Sequence, residues 1–357
     1  MPTDTEAWIV YEQGGPFKRS KLVLDDPLDD EVLVEPTAEL TRASYPVILG
    51  HEGAGKVVSV GSAVKHLGPG DLVLLSFAFC GECPACEKQS PHACGKWGYL
   101  NFGKFRSNGS REVGTLADGK RVHGAFFGQS SFGKHALAKA TSCVKVASDT
   151  DLASLAPMGC GMQTGAGAVM NVAKPKPEQT VVISGTGSVG FAALFAAKEL
   201  GVKNIIVTDM NDGRLELAKR LGASHTINPS KTDTVQGIMN VTEKHGADFV
   251  IECSGVVQAA KAAFMSLAFQ GVQVQVGDSG VGELSVPLGE FLQGLKTIVG
   301  CVEGNCDPRK LVPTLVKLSK EGKFPLNEIS TKYDWDNFEQ AEHDAHAGKI
   351  IKAILVV

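Results

Sequence analysis

No cysteine occurs before Cys80 in this 357-residue chain, no apolar run is long enough to cross a bilayer, and no basic block stands out. Each absence excludes something. With 35 Lys and Arg against 39 Asp and Glu, a net charge of −4 and a pI near 6.2, the chain offers no cationic face to nucleic acid or an anionic membrane. The expected partner is a small-molecule substrate, with neither nucleic acid nor membrane. A membrane helix would need about 20 consecutive apolar residues. The opening stretch "MPTDTEAWIV" lacks a basic segment followed by an apolar one, so a cytoplasmic location is expected rather than secretion.

What is present divides the chain in two. Residues 1 to about 150 hold short β segments, among them "EVLVEP", "GAGKVVSVG", "DLVLLSF" and "CVKVA", broken by turns such as "GPGD". From about 178 the rhythm becomes strand, helix, strand, helix: "TVVIS" precedes "GFAALFAAKELG", and "NIIVTD" precedes "GRLELAKRLGA". Apolar runs alternating with helical patterns predict parallel βαβ units with buried strands. The last fifty residues carry an amphipathic helix, "KLVPTLVKLSKEG", and a strand, "IKAILVV". The expected fold class is α/β: a doubly wound parallel sheet inserted into a β-rich domain, over residues 161–302 within 1–160 and 303–357.

Four of the nine cysteines fall together in "CGECPACEKQSPHAC", as Cys80, Cys83, Cys86 and Cys94. Two-residue gaps let successive thiolates turn onto one tetrahedral ion, and four thiolates leave no open position, so the motif predicts a structural zinc in a reducing compartment. In "VVISGTGSVGFAA", Gly185, Gly187 and Gly190 follow a strand and open a helix, and Asp209 ends the next strand. That context predicts a dinucleotide site, with pyrophosphate at the helix N-terminus and Asp209 on a ribose hydroxyl. Asp209 favours NAD over NADP, although Arg214, five residues on, could hold a 2′-phosphate and leaves NADP open. His51 and Glu52 in "GHEGAG" and Cys160 in "PMGCGMQTG" have ordinary readings when taken singly, and spacing alone does not join them.

Taken together, these motifs resemble the medium-chain, zinc-dependent alcohol dehydrogenases over nearly the whole chain. The carriers are "GHEGAG" (50–55), "GDLVL" (70–74), the cysteine lobe, "GCGMQTG" (159–165), "SGTGSVG" (184–190) and "GASHTINP" (222–229). "SFAFCGECPAC", "NFGKF" and "GAFFGQSSF" look most like the aryl-alcohol dehydrogenases of that family. The resemblance implies a GroES-like catalytic domain around an inserted Rossmann domain, and a homodimer or homotetramer formed through the Rossmann sheet edge. "VQVQVGDSGVGELSV" could supply that edge, or be an ordinary buried strand and loop. By position, His51 and Cys160 match two catalytic-zinc ligands, and Glu52 the adjacent acid that can approach the metal. Thr164 and Val189 match nicotinamide contacts, and Val276 the carboxamide side. Lys352 lies near a position often basic and directed at the pyrophosphate, with a solvated surface lysine as the alternative.

The departure from the family lies upstream of "GHE". There the family places a loop bearing a cysteine ligand, a relay Ser or Thr, and an Asp, whereas this chain has only "TAELTRAS". A second zinc would rest on His51, Cys160 and Glu52, completed by water or a residue such as Glu39. Three functions are compatible with this. The first is an NAD-linked oxidoreductase of an aromatic or allylic alcohol/aldehyde pair with a rebuilt zinc site. The second is a reductase without catalytic zinc, acting on an activated C=C or C=O. The third is a redox-inactive cofactor-binding homologue or truncated isoform.

Overall fold

The computed structural model of the chain describes residues 2–36, 45–103, 105–280 and 282–357, which form two compact units. The first takes in the described residues of 1–160, with 307–319 and 325–357; the second comprises 161–306 and 320–324. The second unit therefore runs four residues past the expected boundary at 302. The reason is local packing: Gln163 Nε2 donates to Glu303 Oε2 (2.7 Å) and Asn171 Nδ2 to the Gly304 carbonyl (2.9 Å).

In the first unit, β1 (Thr3–Val10), β2 (Phe17–Leu24), β3 (Glu31–Pro36), β4 (Val47–Ile48), β5 (Ala54–Val60) and β6 (Leu72–Leu75) precede the cysteine lobe. Beyond it come β7 (Glu112–Leu116), β8 (Arg121–His123), β9 (Ala136–Lys139) and β10 (Cys143–Val146). Strands β1, β2, β7, β8 and β4 close a barrel, and the others form a sheet ordered β10-β6-β5-β3-β9. The barrel core is aromatic: Trp8 stacks on Phe338 at 4.7 Å, and Phe17 and Phe132 pack on the same ring. A buried guanidinium stitches the lobe's far end to β3. Arg106 grips Glu31 with two hydrogen bonds, at 2.9 and 2.7 Å, and its remaining donors reach Asp25, Asp26 and Glu112.

The second unit is a six-stranded parallel sheet. Its strands are β11 (Thr180–Ser184), β12 (Asn204–Thr208), β13 (His225–Ile227), β14 (Ala247–Glu252), β15 (Leu267–Gln275) and β16 (Thr297–Gly300). Their order, β13-β12-β11-β14-β15-β16, reverses direction between β11 and β14. That reversal is the doubly wound switch point, where ligands bind at the carboxyl ends of strands. The crossover helices are α1 (Ser188–Glu199), α2 (Asp212–Leu221), α3 (Thr234–Val241) and α4 (Val257–Met265). The segment "VQVQ" belongs to interior strand β15, and the sheet's edges are β13 and β16. Strands β17 (Ser330–Asp334) and β18 (Lys352–Val356) pair in parallel and return to the first unit. Among the described residues no helix is long and apolar enough to cross a membrane.

Removing one partner of a buried ion pair strands the other charge. Arg106→Met is therefore expected to cost about 3–5 kcal/mol in urea denaturation. The double variant Arg106→Met/Glu31→Met should recover most of that loss.

Candidate metal centres and dinucleotide site

The cysteine lobe is built by short turns. Cys80 follows buried Phe77 and Phe79, Pro84 starts a single helical turn that carries Cys86, and a 3-10 turn (Pro91–Ala93) delivers Cys94. The Sγ separations are 3.5 Å for Cys80–Cys94, 3.5 Å for Cys83–Cys86, 3.9 Å for Cys80–Cys86 and 4.0 Å for Cys83–Cys94. Four sulfurs at 2.3 Å from a tetrahedral zinc stand about 3.8 Å apart, so this cage fits the ion. The backbone N–H groups of Cys80 and Lys96 aim at Cys94 Sγ and that of Gly95 at Cys83 Sγ, each at 3.4 Å. Backbone N–H groups draw the Cys83 thiol down to about 6, whereas burial lifts Cys86 to about 12. Cys80, Cys83, Cys86 and Cys94 would hold a dication as thiolates, since ligation requires the deprotonated form of each.

The second cluster draws on segments far apart in the sequence. His51 and Glu52 lie between β4 and β5, and Cys160 follows the turn Ala156–Gly159. That turn presses on β6 so closely that a Cβ on Gly159 would stand 1.8 Å from the Leu75 carbonyl oxygen, which only glycine permits. One ligand atom each from His51, Glu52 and Cys160 lies within 4.8 Å of the others. The fully buried Gln129 fixes the histidine segment. Its Nε2 donates to the carbonyls of His51 (2.9 Å) and Ser76 (3.0 Å), and its Oε1 accepts from the Gly53 N–H (3.0 Å). Gln129 sits at the end of a run in which Ala125, Phe127, Gly128 and Ser130 have left-handed backbones. This run turns two rings onto the imidazole: Phe127 at 4.8 Å, and Phe126 edge-on at 5.7 Å.

Imidazole, carboxylate and thiolate are a donor set that suits zinc, and the two anions together balance its charge. Glu52 already has a cation, however. Lys352 on β18 extends its ammonium onto Glu52 Oε2, and both side chains are only 4% exposed. Lys352 is thus a buried ion-pair partner of Glu52, not a solvated surface lysine. Glu39, offered as a further ligand, lies outside the described residues, as does all of "TAELTRAS".

In the second unit, Gly185 and Gly187 form the turn between β11 and α1, and Gly190 lies in the first turn of α1. A Cβ on Gly190 would come within 1.9 Å of the Gly185 carbonyl oxygen, whereas one on Gly187 would project into open space. That opening, at the N-terminus of a twelve-residue helix, fits a pyrophosphate. Asp209, just past β12, accepts from Thr186 N (2.7 Å) and Oγ1 (2.5 Å) on one oxygen and from Asn211 N (2.8 Å) on the other. A cavity of about 360 Å³ opens beside the turn, lined by Gly185, Asp209, Met210, Ser254, Ala259 and Ala263. Arg214 is half-buried on α2, with its backbone N–H on the Asn211 cap (3.1 Å). Thr164 and Val189 come from adjoining helices, for a Cβ on Gly165 would meet the Val189 carbonyl oxygen at 2.0 Å. The Val276 N–H donates to the Glu252 carbonyl at 2.9 Å. Sequence reasoning missed Gln129 and Glu252; each looks like an ordinary polar residue until its partners are in place.

A barrel-containing unit with a four-cysteine lobe, joined to a doubly wound unit with a glycine-rich turn, defines a zinc-binding dehydrogenase. Comparisons agree: the alcohol dehydrogenase GroES-like domain matches residues 28–149 and the zinc-binding dehydrogenase domain residues 188–321. The chain belongs to the medium-chain, zinc-dependent alcohol dehydrogenase family and is an oxidoreductase of it. It is 34% identical to geraniol dehydrogenase of Castellaniella defragrans, over 98% of this chain and 97% of that one. Among solved structures, an alcohol dehydrogenase zinc-binding domain protein from Burkholderia ambifaria has a TM-score of 0.96 at 34% identity, covering all of both chains. Benzyl alcohol dehydrogenase of Acinetobacter calcoaceticus has a TM-score of 0.92 at 35% identity, covering 99% of both.

Gln129→Leu would remove three buried hydrogen bonds, to the carbonyls of His51 and Ser76 and from the Gly53 N–H, at about 1–3 kcal/mol each. The variant is expected to lose affinity at the His51 centre as well as stability, both readable by cobalt substitution and thermal melting. Cys83→Ser should release the structural ion, detected by metal analysis, and lower the melting temperature.

Proposed function

We propose that the protein is an NAD-dependent oxidoreductase that moves a hydride between nicotinamide and an aromatic or allylic alcohol/aldehyde pair, with a second zinc held by His51, Glu52 and Cys160. The observation that carries this reading is the convergence of those three ligand atoms within 4.8 Å, walled by aromatic rings. Zinc at that position would supply Lewis acidity, polarising a substrate oxygen. The chain's own residues do the rest. Gln129 and Phe127 set the imidazole, and the Glu52 carboxylate is shared between Lys352 and the metal position. Phe126 and Phe127 are buried and back the imidazole, whereas Phe102, 56% exposed and at right angles to Phe127 at 5.5 Å, is the ring available to a planar substrate. Geraniol and benzyl alcohol, named for the two relatives, are an allylic and an aromatic alcohol.

For the cofactor, Thr186 orients Asp209, whose charge accepts ribose hydroxyls and repels a 2′-phosphate. NAD is the preferred nucleotide, with Thr164, Val189 and Val276 at its nicotinamide end. Edge strand β16 lies in a surface bearing Leu288, Leu292, Leu295 and Val302, all more than two-fifths exposed, which supports a homodimer or homotetramer. One observation favours a second reading. Lys352 already balances Glu52, so a reductase with only the structural zinc, acting on an activated C=C or C=O, would keep the same pair.

Metal analysis separates the two readings. Two zinc ions per chain and NADH formation from benzyl alcohol or geraniol are expected. Cys160→Ala should then lower turnover at least a hundredfold, corresponding to about 2.7 kcal/mol or more of lost stabilisation. One zinc per chain, with Cys160→Ala fully active on an enone, would establish the second reading instead.

A further inference from the structure

Glu252 is a carboxylate with no exposed surface, at the carboxyl end of β14 in the middle of the parallel sheet. The row that crosses the sheet one residue earlier is wholly apolar: Ile183, Ile251, Val274 and Val299. The row containing Glu252 is polar, with Ser184 beside it on β11 and Gln275 on β15. Burying a carboxylate there without a cation is costly unless donors saturate it. Donors do. Oε1 accepts from the Ser254 N–H (2.9 Å), from the Ser254 hydroxyl at still closer range, and from Ser184 Oγ at 3.5 Å. Oε2 accepts from Gln275 Nε2 (2.8 Å) and the Gly255 N–H (3.3 Å).

These bonds fold two loops around one point. The carboxylate gathers residues 254–255, while the Glu252 backbone carbonyl accepts from Val276 N (2.9 Å) and Gly277 N (2.8 Å). The loops meet glycine to glycine: a Cβ on Gly277 would lie 2.2 Å from the Gly255 nitrogen and 2.8 Å from Glu252 Oε2. One loop lines the cavity through Ser254, whose Cα is 3.1 Å from where a Cβ on Gly185 would stand. The other presents Val276. Asp209 braces the glycine-rich turn from β12 through Thr186, and Glu252 braces it from the opposite neighbour, β14.

We infer that Glu252 is the positioning residue of the dinucleotide site: without touching the cofactor, its buried carboxylate sets the two loops that border it. The inference rests on the reading of this unit as a nicotinamide-dinucleotide site. Glu252→Gln keeps the shape but turns two N–H donors toward a ring of donors. In the full-length protein, the NADH dissociation constant followed by fluorescence is expected to rise roughly tenfold, the equivalent of about 1.4 kcal/mol. ADP-ribose should weaken by a similar factor, and kcat at saturating NAD should stay within about threefold, since KM rather than kcat carries a uniform loss of binding. Gln275→Leu removes the 2.8 Å donor to Oε2, together with that amide's bonds to the Gly277 carbonyl and to Gln273, and leaves the carboxylate in place; it should shift both affinities in the same direction and decides the matter if Glu252→Gln does not fold. Unchanged NADH and ADP-ribose affinity in the folded variants would overturn the inference, as would a loss of kcat alone. If the unaltered protein bound no NADH, the dinucleotide reading itself would fall.

Discussion

The first unit turns on one side-chain amide. Gln129 spends both donors and its acceptor on three backbone groups in two segments, those of His51 and Gly53 before β5 and that of Ser76 after β6. Ser76 leads through Phe77 and Phe79 to Cys80 and the lobe, and His51 leads to Glu52. The run that delivers Gln129 has four left-handed residues in six positions, a backbone that ordinary side chains adopt only when the surroundings enforce it. Ser130 helps enforce it, donating to the Ile48 carbonyl (2.8 Å) and accepting from the Phe126 N–H (2.9 Å). Two metal-capable clusters and the aromatic wall thus share one hydrogen-bonded frame.

The second unit uses a parallel device with charge. Its glycine-rich turn is flanked by Asp209 and Glu252, and each binds backbone N–H groups before any ligand arrives. The donors that shape the loops are committed to protein carboxylates, so the N-terminus of α1 remains directed at open space beside Gly187. Preorganisation of this kind reduces what must be ordered on binding.

Much of this was legible in the residues, for reasons that differ by element. The βαβ rhythm after 178 is local periodicity, and the cysteine lobe is a fifteen-residue motif whose spacing encodes its geometry. His51 and Cys160 could be joined only through resemblance, because their proximity depends on Gly159 lying against β6. The alternation in "VQVQV" was open to an edge reading, since glutamines at every second position mimic a wet face. Gln275 instead donates to a buried carboxylate on the next strand, and Gln273 donates to Gln275. Lys352 was illegible for the same reason, as burial of a lysine is decided by what faces it and Glu52 lies far upstream.

The Glu52–Lys352 pair has a consequence for how the molecule comes into being. The whole second unit is encoded between the two residues, so during synthesis the acid emerges from the ribosome long before its ammonium. Until β18 arrives, the segment around Glu52 must remain hydrated, because an unpaired carboxylate at that depth is strongly disfavoured. The His51 centre is therefore a late-forming part of the first unit. A nascent chain can complete the doubly wound sheet, glycine-rich turn included, before Lys352 is available to Glu52.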